Sequence, residues 1–390
     1  QAFNPPTTLA AETSNNTSAA NTFAGFPNGN LKASNVSKVD IHTLLNPGSA
    51  AKVVTTYIPY WGNPKHPNVG YSSQDPAQVA REVADLTSRG FDGVLVDWYG
   101  KGSWEDGATY VLKQALEQQT HLTFALMIDV GAVQWYSCYP TCNATTALLN
   151  TINYARARGY FSSPAAMHTP DGKILVTQFG LEVFSIDWTA VRAANTDLEW
   201  IFENAGAFNT AGVIGAYGWL SPQTLSTEPA NYEGLDYLQY FLKIANVYLA
   251  KQNWVSTWKG FDDTIASWAP PGGRHIEQLC GKTWLDTWAA IRSFSGRVDA
   301  VQVVTWHDYE EGTEIQTGID NCLTLSATVS GSQLNWKVSS ESTLDHYTVF
   351  VSTDGRNLMS LGDFAVGTRQ LDLSAFNLAP GSYQVFVKAV

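Results

Sequence analysis

The sequence has no long apolar run and little charge of either sign. No stretch reaches the roughly 18 consecutive apolar residues of a membrane-spanning helix, so we expect no membrane partner. Charged residues make up 15% of the chain, and 23 basic against 35 acidic residues give a net charge of −12. Because no basic stripe interrupts this acidic balance, nucleic acid is not an expected partner.

Cysteine is scarce, with four residues in the chain. An even number fits an oxidising compartment, and Cys138 and Cys142 are close enough for a small disulfide loop. Cys280–Cys322 would then be the longer link, one of three connectivities. A zinc site is the alternative, but no histidine lies at ligand spacing from Cys138 or Cys142, so we predict no metal. The start at Gln1, without Met, is expected of a secreted product whose signal peptide has been removed.

The 390 residues are enough for one large barrel and a small module, and 44% hydrophobic residues can fill the core. Residues 1–50 are rich in Asn, Thr, Ser and Ala without a period, which predicts an extended arm. From residue 51 to 320, strand and helix patterns alternate, which predicts a (β/α)8 barrel of the TIM type. The predicted strands are Lys52–Tyr57, Phe91–Tyr99, Leu122–Ile128, Lys173–Thr177, Leu198–Phe202, Val213–Tyr217, Trp254–Thr257 and Val301–Val304.

The sequence pattern changes in the last seventy residues. From residue 321 to 390, helical signals are few and alternating runs such as Gln333–Val338 and His346–Ser352 follow one another. Turn pairs, Asp354-Gly355 and Pro380-Gly381, separate these runs. This pattern predicts a β-sandwich similar to fibronectin type III or immunoglobulin-like modules, acting as a spacer or as a carbohydrate-binding module.

The most informative stretch runs from Val301 to Ile315. A short β-branched run, typical of a buried strand, ends abruptly in Trp306-His-Asp-Tyr-Glu-Glu311. Four acids within seven residues repel one another unless water, a cation or a hydrogen-bonding ligand stabilises them. A solvated loop would explain them, but paired carboxylates beside aromatic residues also suit glycoside hydrolysis, which needs an acid and a second carboxylate.

Active sites of such barrels lie where the strands end. Acids follow five of the eight predicted strands, so we expect these residues to share one mouth rather than to be separate caps. The strand-end set is Tyr60, Trp61, Asp97, Trp98, Asp129, Glu203, Asn204, Trp219, Asp262, Asp263, Asp308 and Glu311.

The segment Thr305-Trp-His-Asp-Tyr-Glu-Glu-Gly-Thr-Glu-Ile315 resembles the catalytic segment of glycoside hydrolase family 71, the α-1,3-glucanases, which carry Thr-Trp-Asn-Asp-Tyr-Gly-Glu there. It is also similar to family 99, the endo-acting α-mannosidases and α-mannanases, whose pattern ends in Glu-Gly-Thr-Gln-Ile. The resemblance covers about residues 52–320 and implies Asp308 and Glu311 as the catalytic carboxylates. Two positions depart from it, because Glu310 replaces a non-acidic residue and His307 replaces Asn.

The resemblance implies a hydrolase of an α-linked polysaccharide, most simply an α-1,3-glucan, that needs no cofactor. We also expect the protein to be secreted and monomeric. Glu311 would protonate the departing oxygen. Asp308 would activate water, as family 71 implies, or assist the sugar's own 2-hydroxyl, as family 99 implies. We expect sugar hydroxyls to bind polar residues and sugar rings to stack on tryptophans. The expected substrate-binding residues are Tyr60, Trp61, Asp97, Trp98, Asp129, Glu203, Asn204, Asp262, Asp263, Trp306, His307 and Glu310.

Two other functions stay open on sequence grounds. A non-catalytic carbohydrate-binding protein could keep such a cleft and would bind polysaccharide without cleaving it. A metal-dependent hydrolase could use the same acids and would lose activity with a chelator, although the chain has no dedicated cation-binding loop.

Overall fold

The structure is a computed structural model that describes residues 7–8, 33–224, 229, 231–355 and 357–390. It divides into two compact units, one of residues 39–316 and one of residues 1–38 with 317–390. Most of the predicted N-terminal arm, residues 1–6 and 9–32, lies outside the described residues. The later part of that arm contains two short 3-10 turns, Ala33–Asn35 and Ile41–Leu44.

The first unit is a closed barrel of eight parallel strands, which confirms the predicted fold. Each strand pairs with its neighbours in chain order, and the eighth closes the ring against the first, with Val301 opposite Val53. The strands are β1 (Lys52–Tyr57), β2 (Gly93–Trp98), β3 (Thr123–Asp129), β4 (Ile174–Phe179), β5 (Leu198–Glu203), β6 (Gly215–Tyr217), β7 (Gln252–Trp258) and β8 (Ala300–Val304).

Seven α-helices accompany the strands in the described part of the chain: α1 (Pro76–Ser88), α2 (Trp104–Leu116), α3 (Val130–Gln134), α4 (Ala144–Ala157), α5 (Trp188–Ala194), α6 (Leu235–Ala245) and α7 (Lys282–Ser293). Local sequence determines their starts. Asp75 caps α1 by accepting a hydrogen bond from the Ala77 amide at 3.0 Å, and Pro76 occupies the first turn. Between β5 and β6 the connection is a 3-10 turn, Ala205–Asn209, where the sequence also shows little helix.

The barrel strands are buried on both faces, as parallel strands covered by helices are. All six residues of β2 and all five of β8 are buried. Apolar side chains such as Val54, Leu95 and Met127 fill the interior, so the barrel is a packed core whose open end lies beyond the strand termini. None of the described helices is long and apolar enough to cross a membrane.

The second unit contains two antiparallel sheets that share one apolar core. One sheet joins β9 (Leu325–Ser330), β10 (Gln333–Val338) and β13 (Gln370–Asp372). The other joins β11 (His346–Ser352), β12 (Met359–Ala365), β14 (Gln384–Ala389) and the two-residue strand Thr7–Thr8. Trp336 from the first sheet meets Tyr347 from the second, with ring centroids 5.5 Å apart.

The structure contains two disulfides. Cys138 and Cys142 form one of them, with an S–S distance of 2.08 Å, the pairing that their spacing predicts. Cys280 and Cys322 are disulfide-bonded as well.

Candidate active site

The acids that follow β8 lie on a loop whose two ends are hydrogen-bonded together. We call residues 305–315 the acidic loop. Thr305 donates its amide to the Thr313 carbonyl at 3.1 Å, and their hydroxyls are 2.9 Å apart. The Thr313 amide donates to the Asp308 carbonyl at 3.1 Å, and the Ile315 amide to the Trp306 carbonyl at 3.0 Å. These internal bonds give the loop a defined shape.

Three further bonds fix the acidic loop to the rest of the barrel mouth. The Trp306 amide donates to the carbonyl of Thr56 in β1 at 2.9 Å. The Trp61 indole donates to the His307 carbonyl at 2.9 Å. The Glu311 carbonyl accepts the Asp262 amide at 2.8 Å, which ties the loop to the segment after β7. Strands β1, β7 and β8 therefore position this loop together.

Asp308 is 5% exposed, and its carboxylate is oriented by the loop's own backbone. Its Oδ1 accepts the amides of Glu310 at 3.0 Å and Glu311 at 2.9 Å. Burial raises the pKa of Asp308 to about 6, although the Glu311 amide and the Tyr60 hydroxyl lower it. At neutral pH this carboxyl is therefore mostly ionised and able to accept a proton.

Glu311 has a different environment. Burial and the nearby Asp308 charge raise the pKa of Glu311 to about 8, against the lowering effects of the Trp268 indole and the Arg274 guanidinium. The indole Nε1 of Trp268 donates to Glu311 Oε1 at 3.3 Å. At neutral pH this carboxyl is mostly protonated, and its side chain is partly exposed. The two neighbouring carboxyls therefore differ in protonation at neutral pH, with Asp308 ionised and Glu311 protonated.

An aromatic wall stands beside this pair. Tyr60 is 3% exposed and its ring stacks on His66, with centroids 3.9 Å apart. Burial raises the pKa of Tyr60 well above its usual range, and the charges of Asp308, Glu310 and Glu311 add to this. Its hydroxyl therefore stays protonated beside Asp308, although it makes no well-aligned hydrogen bond within the described residues. Glu310 is 3% exposed, and its carboxylate bonds His66 Nδ1 at 2.6 Å.

A second group of acids follows β2 and β3. Asp97 is 7% exposed, and its Oδ1 has no well-aligned hydrogen-bond partner among the described side chains. Burial raises the pKa of Asp97 well above its usual range, with further rises from Asp129, Glu105 and Asp308, and the Tyr99 hydroxyl lowers it. Burial also raises the pKa of Asp129 to about 7, although its Oδ1 accepts the Gly131 amide at 2.6 Å and caps α3. These acids and Asp308 influence one another, as expected of side chains at a shared mouth.

Glu203 and Asn204 end β5 at the same side of the barrel. Burial raises the pKa of Glu203 to about 7, with Glu182 adding to the rise, and the carboxyl accepts the Asn204 side-chain amide at 2.9 Å. Asn204 has a φ of 67°, and its side-chain oxygen accepts the Tyr237 hydroxyl at 2.5 Å. The Asp129 charge also reaches Glu203 and raises its pKa, which connects this group to the acids after β3.

The two acids after β7 have structural partners. Asp263 is fully buried, and its Oδ2 accepts Arg274 Nε and a terminal guanidinium nitrogen, each at 2.7 Å. Its side chain does not reach solvent and is paired with Arg274. Asp262 is partly exposed and its Oδ1 accepts the Thr264 amide at 3.0 Å.

Four of the side chains that we predicted to bind sugar are completely covered in the structure. Trp61, Trp98, Trp306 and His307 are all 0% exposed. The Trp98 indole donates to Asp106 at 3.1 Å, and the Arg89 guanidinium lies over the Trp306 ring at 4.7 Å. These side chains support the mouth from behind.

His307 illustrates this supporting position. Burial lowers its pKa to about 3, so the ring is neutral. The ring lies 4.3 Å from the Tyr57 ring, and its Nε2 is 3.8 Å from a carboxylate oxygen of Glu82. Tyr57 donates its hydroxyl to the same Glu82 oxygen. This buried group lies directly beneath the acidic loop.

Several residues at the site were not predicted from the sequence: His66, Tyr99, Glu105, Trp268, Arg274 and Tyr237. Tyr99 follows directly after β2, so extending the strand-end rule by one residue would have found it. Trp268 and Arg274 belong to the long connection after β7, where no local pattern marks them. Within the described residues no group of three or more metal-binding side chains is arranged to hold an ion.

No protein-family model matches the chain, and no curated protein matches it. Solved structures do match, and two of them are of the family 99 endo-α-mannosidase from Bacteroides thetaiotaomicron. The structure with bound Bis-Tris-propane has a TM-score of 0.51 and 17% identity, covering 68% of this chain and 86% of that one. The other has a TM-score of 0.51 and 16% identity, covering 68% and 87%. At such identity the similarity concerns the fold alone, so the chain has a barrel fold of the kind seen in this family 99 enzyme.

Proposed function

We propose that this protein is a glycoside hydrolase that cleaves an α-linked polysaccharide, with Glu311 as general acid and Asp308 as base. The observation that carries the proposal is the pairing of two adjacent carboxyls whose surroundings separate their pKa values to about 8 and about 6. Near neutral pH, one carboxyl carries the proton that the departing oxygen needs, and the other is free to accept one.

The step balances as an ordinary hydrolysis. Glu311 transfers its proton to the glycosidic oxygen as the bond from the anomeric carbon to that oxygen breaks. Asp308 removes a proton from a water molecule whose oxygen forms the new bond to the anomeric carbon. If the reaction inverts configuration in this way, an α-linked substrate gives a β-configured product. The Tyr60 hydroxyl, close to Asp308, would help to stabilise its ionised form.

For the substrate, we propose an α-1,3-glucan, from the resemblance of the acidic loop to the family 71 segment. An α-mannan is the second candidate, because the barrel is similar in fold to a family 99 endo-α-mannosidase. Asp97, Asp129, Glu203 and Asn204 would bind sugar hydroxyls at this mouth. We also propose that the protein is secreted, since both of its disulfides would persist in an oxidising compartment.

The test is release of reducing sugar from a panel of α-glucans and α-mannans by the wild-type protein, Glu311→Gln and Asp308→Asn. We expect hydrolysis of one substrate class by the wild type. Each variant should lose roughly a hundred- to ten-thousandfold in rate, with an unchanged circular dichroism spectrum. Binding without hydrolysis across the panel would contradict the proposal and favour a carbohydrate-binding protein. Full activity in either variant would assign the chemistry to other acids.

A further inference from the structure

Trp268 is a large aromatic side chain that stays open beside the proposed general acid. It is 47% exposed, whereas Trp61, Trp98 and Trp306 are completely covered. Its ring meets His66 edge-on, with centroids 6.3 Å apart and planes 63° apart. An indole in this position presents an apolar surface to any ligand that reaches Glu311.

The segment that carries Trp268 is ordered by its own bonds. The Ala266 amide donates to the Asp263 carbonyl at 2.9 Å, and the Ala269 amide to the Ala266 carbonyl at 3.2 Å. Two short strands, Phe261–Asp262 and Arg274–Ile276, pair across its base. The ion pair between the buried Asp263 and the partly exposed Arg274 joins the two sides of the segment and supports the indole.

The direct link to the site is the hydrogen bond from Trp268 Nε1 to Glu311 Oε1, 3.3 Å long. The same segment binds the backbone of Glu311 through the Asp262 amide, 2.8 Å from the Glu311 carbonyl. Glu311 is therefore held at its backbone and at its carboxyl by one connection of the barrel. A general acid must lie next to the departing oxygen, so a group in contact with that acid adjoins the departing sugar.

We propose that Trp268 binds the departing sugar ring against its open face while its indole N–H positions the Glu311 carboxyl. This assignment rests on the proposed function and extends it to the leaving-group side of the site. Apolar faces of pyranose rings pack well on an indole, and a partly exposed tryptophan gives such contact at low conformational cost. Specificity for the departing sugar would then depend on this one segment.

The experiment compares Trp268→Phe and Trp268→Ala with the wild type on two substrates. One is the shortest α-linked oligosaccharide that the wild type cleaves, and the other is the glycosyl fluoride of the same glycone. The fluoride has no departing sugar and needs little acid assistance. Trp268→Ala should lose roughly tenfold in kcat/KM on the oligosaccharide and no more than about twofold on the fluoride.

The pH dependence of kcat/KM distinguishes the two proposed roles of Trp268, which are to position the Glu311 carboxyl and to pack against the sugar ring. The N–H bond favours the ionised form of Glu311, so its loss should raise the pKa of that carboxyl. Both Trp268 variants should therefore shift the alkaline limb of kcat/KM to higher pH, and Trp268→Phe should keep most of its sugar affinity. Trp135→Phe is the control, because Trp135 is 66% exposed and stacks on Tyr99 instead. Its alkaline limb should match that of the wild type.

A fluorescence titration tests the same bond without a substrate. The difference between wild type and Trp268→Phe should show a transition near pH 8, where Glu311 ionises, and Glu311→Gln should abolish it. An unmoved alkaline limb, or equal losses on both substrates, would overturn the assignment while leaving hydrolysis itself intact. A transition that persists in Glu311→Gln would overturn it too. A wild type that cleaves nothing would instead refute the proposed function, and the titration would still decide whether Trp268 touches the acid.

Discussion

Replacing Glu311 by glutamine should make the protein more stable while it slows the hydrolysis of polysaccharide. The carboxyl has its pKa raised from 4.5 to about 8, so the folded state keeps a proton that the unfolded state releases at neutral pH. The free energy of unfolding that the wild type loses between pH 4.5 and pH 7 therefore corresponds to 2.5 pH units, or about 3 kcal/mol at 1.36 kcal/mol per unit. Solvent reaches this partly exposed side chain and screens the effect, so we expect about 1–3 kcal/mol.

The sign and the pH range both follow from the raised pKa. In the wild type, stability is complete below the unfolded pKa and falls as pH rises towards the folded pKa. Glutamine does not ionise, so the stability gained by Glu311→Gln should be near zero at about pH 4. It should grow from there towards pH 8 and stay constant above it. Urea unfolding of wild type and Glu311→Gln with disulfides intact, at about pH 4, 7 and 9, measures the difference in their free energies of unfolding.

Glu314→Gln is the matched control in the same loop. Glu314 pairs with Lys259 at 2.8 Å, and the Lys259 side chain is 5% exposed. Removing this carboxylate leaves a buried ammonium without its partner, so stability should fall. A Glu311→Gln protein that is less stable than wild type at pH 7, or a gain that does not vary with pH, would refute the reasoning.

Four further predictions follow from the same structure. The profile of kcat/KM against pH should be bell-shaped, with apparent pKa values of the coupled pair near 6 and 8, and a single limb would contradict this. Asp97→Asn should raise the free energy of unfolding above about pH 5, because burial raises the pKa of Asp97. The same variant should raise KM for the substrate, and unchanged kinetics would show that Asp97 does not belong to the site. Gly215→Ala should cost roughly 3 kcal/mol in urea unfolding, because its Cβ would lie 2.3 Å from the Gln252 carbonyl oxygen, and a wild-type midpoint would contradict that clash. Activity should survive a chelator, and its loss would favour a metal-dependent hydrolase.

The barrel could be predicted because its strands are short, apolar and separated by capped helices. A strand buried on both faces needs a nearly continuous β-branched run, and runs such as Val53–Tyr57 and Val301–Val304 show it plainly. The placement of Asp97, Asp129 and Asp308 at one mouth followed from the rule that parallel strands end on the same side. These predictions depend on local pattern alone.

The exposure of individual side chains could not be predicted in the same way. A strand-end position indicates where the backbone of a residue lies, but segments distant in the sequence determine whether its side chain is covered. Trp61 is covered by Tyr309 and the His307 backbone, about 246 positions along the chain. Glu310 is paired with His66, a residue 244 positions away. Trp268 is 47% exposed on a segment whose two sides are joined by Asp263 and Arg274, and no sequence period indicates this.

The roles of the two carboxyls can be separated by changing the leaving group. Glycosyl fluorides need no proton from an acid, whereas polysaccharides do, so we compare both substrates in Glu311→Gln and Asp308→Asn. The account predicts that Glu311→Gln loses at least about a hundredfold on polysaccharide yet stays within roughly tenfold of wild type on the fluoride. Asp308→Asn should lose activity on both. Equal losses of Glu311→Gln on both substrates, or retained activity of Asp308→Asn on either, would contradict an acid at position 311 and a base at position 308.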